Sequence, residues 1–172
     1  MRSRWKVLLA TAPCVLVLDQ LTKWLVNRTL PLNGGVPVID GLFNLVNIRN
    51  RGAAFGFLNR SDIDWQVWLF LAATLAASGI ICALIHKSGR APLLWVGLSM
   101  VLGGAFGNLI DRLRERAVTD FLDFYWGEMH WPAFNVADIA ICVGAGLTAL
   151  AILLGHDRRD LPEAGRKTSV KG

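Results

Sequence analysis

Charge is scarce in this chain. Asp, Glu, Lys and Arg make up 18% of 172 residues, against ~25% in soluble domains. A chain this poor in charge and this rich in apolar residues (53% without counting glycine) is not disordered and is not an ordinary soluble domain. Cysteine is also rare. Cys14, Cys82 and Cys142 cannot build a disulfide framework, and each lies in an apolar run where a thiol acts as a small hydrophobe. With three histidines there is no HExxH and no ligand spacing for zinc, so no metal site and no cofactor are expected. Ser99, in Gly97-Leu98-Ser99-Met100, lacks the second glycine of a nucleophile elbow, and a serine or cysteine nucleophile would lack a nearby histidine. Gly103, Gly104 and Gly107 are followed by no Lys-Ser/Thr pair, which excludes a phosphate loop. The net charge is +5 and the sequence pI near 9.6, but with a mean hydropathy of +0.43 a basic balance points to a membrane rather than to nucleic acid.

What the chain does have is four apolar segments near the ~20 residues that cross a bilayer. They run from about Val7 to Val26, Trp65 to Ile85, Pro92 to Ile110 and Val136 to Leu154, and no fifth exists. Barrel strands would be short and alternating, which these are not. The first is read as a retained helix rather than a cleaved leader, because it is long, contains Lys23 and precedes no small-x-small site. Pro13 and Thr11 likewise fit poorly with a lipoprotein signal centred on Cys14. Ten Lys/Arg in the shorter flanks against seven in the longer loops orient both termini to the cytoplasm. The seven tryptophans sit near span ends or in outside loops, as an interfacial belt does. The expected organisation is one membrane domain, 1–156, with outside loops at about 27–64 and 111–135, and a charged cytoplasmic tail, 157–172. The stretches Val36–Ile39, Leu42–Ile48 and Val118–Phe124 read as strands of a small sheet on the outer surface.

Ionisable groups inside a span cost ~2.5–3.5 kcal/mol each on insertion scales, so each needs a reason. Asp19 and Lys23, four apart, share one helix face. They read either as a neutralised pair with Lys23 snorkelling to water, or as a link between helices. Gly104, Asn108 and Arg112 form one stripe towards the outer end of the third span. Gly103 and Gly107 have the spacing that lets helices approach closely. Asp138, three after Asn135, fits a capping position at the start of the fourth span. Asp120 reads by itself as a loop acid. Brought together, however, two carboxylates cannot both ionise freely: one holds a proton to polarise a carbonyl while the other takes one from water. A carrier with polar residues at membrane depth, or an assembly subunit glued by them, are the rival readings.

Five motifs resemble those of the lipoprotein signal peptidase (signal peptidase II) family. They are Asp19-Gln20-x-x-Lys23, Arg49-Asn50-Arg51-Gly52-Ala53-Ala54-Phe55, Gly103-Gly104-Ala105-x-Gly107-Asn108-x-x-Asp111-Arg112, Val118-Thr119-Asp120-Phe121 and Phe134-Asn135-Val136-Ala137-Asp138. The resemblance spans about 120 residues in the family's order. It implies an integral membrane protein of four transmembrane helices with a small extracytoplasmic β-cradle and a short surface helix. It implies an aspartyl endopeptidase of the bacterial cytoplasmic (inner) membrane that cleaves diacylglyceryl-modified prolipoproteins just before the lipidated cysteine. Asp120 and Asp138 would be the catalytic pair near the outer face. Asn50, Gly104, Asn108, Arg112 and Asn135 would position substrate and pair, with Asp19 and Lys23 in support. Membrane lipid and globomycin-type inhibitors are the implied further ligands.

Overall fold

A computed structural model describes residues 2–52 and 65–155. The order is α1 (Arg2–Thr29), β1 (Gly35–Ile39), β2 (Phe43–Asn50), α2 (Trp65–Lys87), α3 (Pro92–Glu115), β3 (Val118–Trp126), β4 (Met129–His130) and α4 (Val136–Leu153). All four helices are long and apolar enough to cross a membrane. The expected short surface helix, and the expected tail at 157–172, lie outside the described residues.

α3 is the central helix. It packs against α1, α2 and α4, and it is far more buried in the protein than α1 or α2. Glycine allows this. Gly97 faces Gly144 so closely that a Cβ on either would stand within 2.7 Å of the other's carbonyl oxygen. Gly104 is seated on the Ala137 carbonyl of α4 in the same way. Leu9, Val17, Leu21, Trp68 and Ile80 turn outward, as residues facing lipid do. Leu8, Ile81, Ile85, Leu94, Trp95 and Leu98 form an apolar core at one end of the bundle. The other end is polar inside.

The sheet is antiparallel in the order β1-β2-β3-β4. Ile48 pairs with Asp120 and Asn50 with Val118, after a register shift between Leu45 and Ile48. Phe43 stacks on Phe124 at 4.7 Å, and Phe124 on Phe134 at 5.9 Å. The backbone of Phe134 then bonds to β3: its carbonyl accepts from Phe121 and Leu122 at 3.0 and 2.9 Å, and its N–H donates to Leu122 at 3.1 Å. This tie delivers the start of α4 to the strand that carries Asp120.

Some boundaries and one element differ from expectation. α1 and α3 run past the apolar segments, to Thr29 and Glu115, so the outside loops are shorter than read. In α3 the reason is that Asp111 points inward to Lys23 rather than to water, so the helix continues where hydropathy falls. α3 stops where Arg116 turns left-handed, with φ 54°, and its N–H bonds to the Arg112 carbonyl at 3.0 Å. The two-residue β4 was not anticipated.

Candidate active site

Asp120 points from β3 into the polar end of the bundle and is 3% exposed. Its two oxygens accept hydrogen bonds from the side-chain amides of Asn135 (2.7 Å) and Asn50 (3.0 Å). Burial, more than any other influence, pushes its pKa up to about 6. The Asn50 bond pulls the other way and the Asp138 charge adds to the rise.

Asp138 is the third residue of α4, where free backbone amides favour an anion. Its backbone N–H donates to Asn135 Oδ1 at 3.0 Å, and its Oδ2 accepts from the Asn135 backbone N–H at 3.2 Å. That is a complete capping box. Oδ1 accepts from Asn108 Nδ2 at 2.8 Å. The capping reading of Asp138 is met, and the cap leaves Oδ1 for Asn108.

Each amide is oriented by its second partner. Asn50 Oδ1 accepts from the Gly52 N–H at 3.0 Å, Asn135 Oδ1 accepts from Asp138, and Asn108 Oδ1 accepts from Lys23 Nζ at 2.9 Å. With the oxygens engaged, the NH2 ends of Asn50 and Asn135 must face Asp120 and that of Asn108 must face Asp138.

Behind this pair lies a second polar group. Lys23 is 2% exposed and reaches Asp19 Oδ2 at 2.9 Å and Asp111 Oδ2 at 3.0 Å, so it does not snorkel. Asp19 Oδ1 also accepts from the Ala137 backbone N–H at 2.9 Å, which fixes the α4 N-terminus to α1. Gln20 donates to Asp111 Oδ1 at 2.8 Å, and Asp111 Oδ2 accepts from the Thr119 N–H at 3.2 Å. Sequence reading assigned no role to Asp111, Gln20 or Thr119. The i, i+3 spacing from Asn108 to Asp111 was the available signal.

A cavity of about 680 Å³ opens over the two acids. Asn50, Asn108 and Arg112 line it together with Asp120 and Asp138, and Ile139, Cys142 and Val143 extend its wall along α4. Arg112 donates to the carbonyls of Gly52 (2.9 Å) and Asn108 (3.3 Å), and its guanidinium lies 3.9 Å from the Phe70 ring centre. Asn135 is fully buried beneath the cavity rather than in its wall. Gly104 does not line it either, being the contact that lets α3 and α4 close. Of the nine residues singled out from sequence, eight thus belong to one connected network, and Gly104 to the packing below it.

A family model described as signal peptidase (SPase) II matches residues 11–154. The lipoprotein signal peptidase of Nitratidesulfovibrio vulgaris (strain DP4) is 58% identical over 164 residues, 95% of this chain and 97% of that protein. The lipoprotein signal peptidase of Geobacter sulfurreducens (strain ATCC 51573 / DSM 12127 / PCA) is 44% identical over 163 residues, 94% of this chain and 100% of that protein. A bacterial membrane enzyme structure solved by the in meso method at 2.3 Å resolution has a TM-score of 0.71 at 27% identity, over 90% of this chain and 92% of that one. These similarities favour the peptidase reading over the carrier and the assembly subunit.

Proposed function

The chain belongs to the signal peptidase II family, and from that premise we propose that it removes the signal peptides of diacylglyceryl-modified prolipoproteins by aspartyl chemistry. The observation that carries this reading is a pair of carboxylates over one cavity, both held by amide side chains and neither hydrogen-bonded to a cationic side chain among the described residues. Asp138, half-buried at a helix N-terminus, is the anion and general base. Asp120, more deeply buried and with its pKa raised to about 6, is the proton holder. A substrate filling the cavity displaces water and raises Asp120 further.

The steps follow from those two states. Asp138 takes a proton from a water molecule as its oxygen attacks the scissile carbonyl carbon, and Asp120 gives its proton to the carbonyl oxygen. The tetrahedral diol then collapses. Asp138 passes its proton to the leaving amine of the lipidated cysteine, and Asp120 recovers one from the diol hydroxyl. Asn50, Asn108 and Asn135 hold the pair in register, and Arg112 borders the substrate. Asp19 and Lys23 anchor α4 from behind. The apolar wall along Ile139, Cys142 and Val143 lets acyl chains stay in the bilayer, anchoring the substrate at ~0.8 kcal/mol per buried methylene. Globomycin-type peptides would block the same cavity. Both termini lie in the cytoplasm and the acids near the outer face of the inner membrane, the arrangement that the basic flanks favour.

The test is cleavage of a precursor peptide by purified protein in lipid. The diacylglyceryl-modified peptide is expected to be cut before its modified cysteine, with or without chelator, and the unmodified peptide far more slowly. Equal rates for the two peptides would remove the lipid from recognition. Activity lost to chelator and restored by zinc would overturn the aspartyl chemistry.

A further inference from the structure

The end of the bundle away from the acids carries a second cavity, of about 510 Å³, between the starts of α1 and α3. Ser3, Arg4, Val7, Gly89, Arg90 and Trp95 line it, with Pro92 at its edge. We propose that this cavity seats the phosphodiester headgroup of an anionic phospholipid, with Arg4 and Arg90 as its cationic contacts.

The charge argument comes first. No Asp or Glu occurs among residues 2–12, 80–100 or 139–155, which make up this end of the bundle. Arg4 and Arg90, the two cations of the cavity, therefore have no acid of the described residues beside them. Arg90 is exposed and forms no hydrogen bond or ion pair with any described residue.

Arg4 is held in place. Its Nη1 donates to the Ile85 carbonyl at 3.0 Å and also to the His86 carbonyl, the last turn of α2. Its guanidinium sits 5.9 Å from the Trp95 ring centre. That leaves Nη2 and Nε, which bond to no described residue, to serve an oxyanion. The cavity floor is equally fixed: Trp95 is buried, and its Nε1 donates to Ser88 Oγ at 2.8 Å, which in turn donates to the Ile85 carbonyl at 2.9 Å. α3 starts at this cavity with Ala91 as its N-cap and no side-chain cap bond. Its first amides add positive potential to what the two arginines supply.

A lipid fits better than free phosphate for two reasons. α3, at 24 residues, is about 36 Å long, so its two ends lie at opposite membrane–water boundaries, where headgroups sit. Val7 and Trp95 give the cavity an apolar side that a glycerol backbone covers and inorganic phosphate does not. Basic pockets between spanning helices are established headgroup sites in general.

The experiment is thermal unfolding of the full chain in neutral detergent, titrated with phosphatidylglycerol, with phosphatidylcholine, or with inorganic phosphate at constant ionic strength. Phosphatidylglycerol is expected to raise Tm saturably and phosphatidylcholine to leave it unchanged. Arg90→Gln, at an exposed and unbonded position, should fold normally and require about fivefold more phosphatidylglycerol for the same rise. Lys6→Gln, a nearby exposed cation outside the cavity, should match the parent. The proposal is overturned if phosphatidylcholine works equally well, or if inorganic phosphate alone reproduces the rise. It is equally overturned if Lys6→Gln weakens the response as much as Arg90→Gln, since that is the behaviour of diffuse surface charge.

Discussion

Two pairs of carboxylates lie side by side at the polar end of this bundle, and they are treated in opposite ways. Asp19 and Asp111 grip one ammonium, Lys23, at 2.9 and 3.0 Å. Asp120 and Asp138 are satisfied by amides, and a cavity opens over them. Asn108 joins the two groups, accepting from Lys23 and donating to Asp138. A buried carboxylate that grips an ammonium has its hydrogen-bonding capacity spent on the brace and serves to hold structure. A carboxylate held by neutral donors keeps its proton negotiable, which acid–base chemistry requires. Lys23 is taken up by Asp19 and Asp111, and Asp120, buried beside the charge of Asp138, is the acid whose proton is held more firmly.

The largest effect should come from converting the reactive pair into a pair that cannot titrate. Asp120→Asn and Asp138→Asn keep size and shape, so both variants should insert and fold. Each should lose about 10⁴-fold or more in cleavage of the lipidated precursor, and the double variant should be scarcely worse, because the two act as one unit. A folded single variant that cleaves near the parental rate would remove that residue from the chemistry.

The complementary change removes the cation from the structural pair. Lys23→Met leaves Asp19 and Asp111 buried without a counter-charge, which should cost about 3–5 kcal/mol of stability. Adding Asp19→Asn and Asp111→Asn should restore much of it, because the uncompensated charges go with the ammonium. Thermal unfolding in detergent measures both. If Lys23→Met alone unfolds at the parental temperature, the pair is not the brace described here.

The contrast between the pairs was only half legible beforehand. The spans stood out by hydropathy, and Asn135-x-x-Asp138 announced a cap by spacing alone. Hydropathy failed at Asp111, however, because it treats a charge as the end of a span, whereas α3 continues another turn with that charge turned inward to Lys23. For the same reason Lys23 snorkelling was a fair expectation: nothing local to α1 reveals that Asp111, nearly ninety residues away, supplies a second carboxylate. The approach of Asp120 to Asp138 depends on the β2–β3 register and on Phe134 docking to Leu122. Those are long-range backbone pairings, which side-chain periodicity does not encode.

The smallest expected effect is a change of slope, and it bears on Asp120 alone. Its pKa in the folded protein is raised to about 6 from an ordinary value of 3.8, chiefly by burial. The folded state therefore binds that proton more tightly than the unfolded state does. The sign of the linkage follows. The benefit is fully present below about pH 4, where both states are protonated. It is lost as pH rises through about 6, where the folded carboxylate must ionise out of contact with water. Asp120→Asn has no proton to lose, so it should abolish this component without reversing it. Thermal unfolding of parent and variant across pH 4–7 isolates the term, because every other titrating group is common to both. The Tm of the parent relative to the variant should fall between pH 4 and 6 and level off above. A difference that stays constant across that range would mean that Asp120 does not hold the raised proton, and the assignment of acid and base within the pair would have to be exchanged.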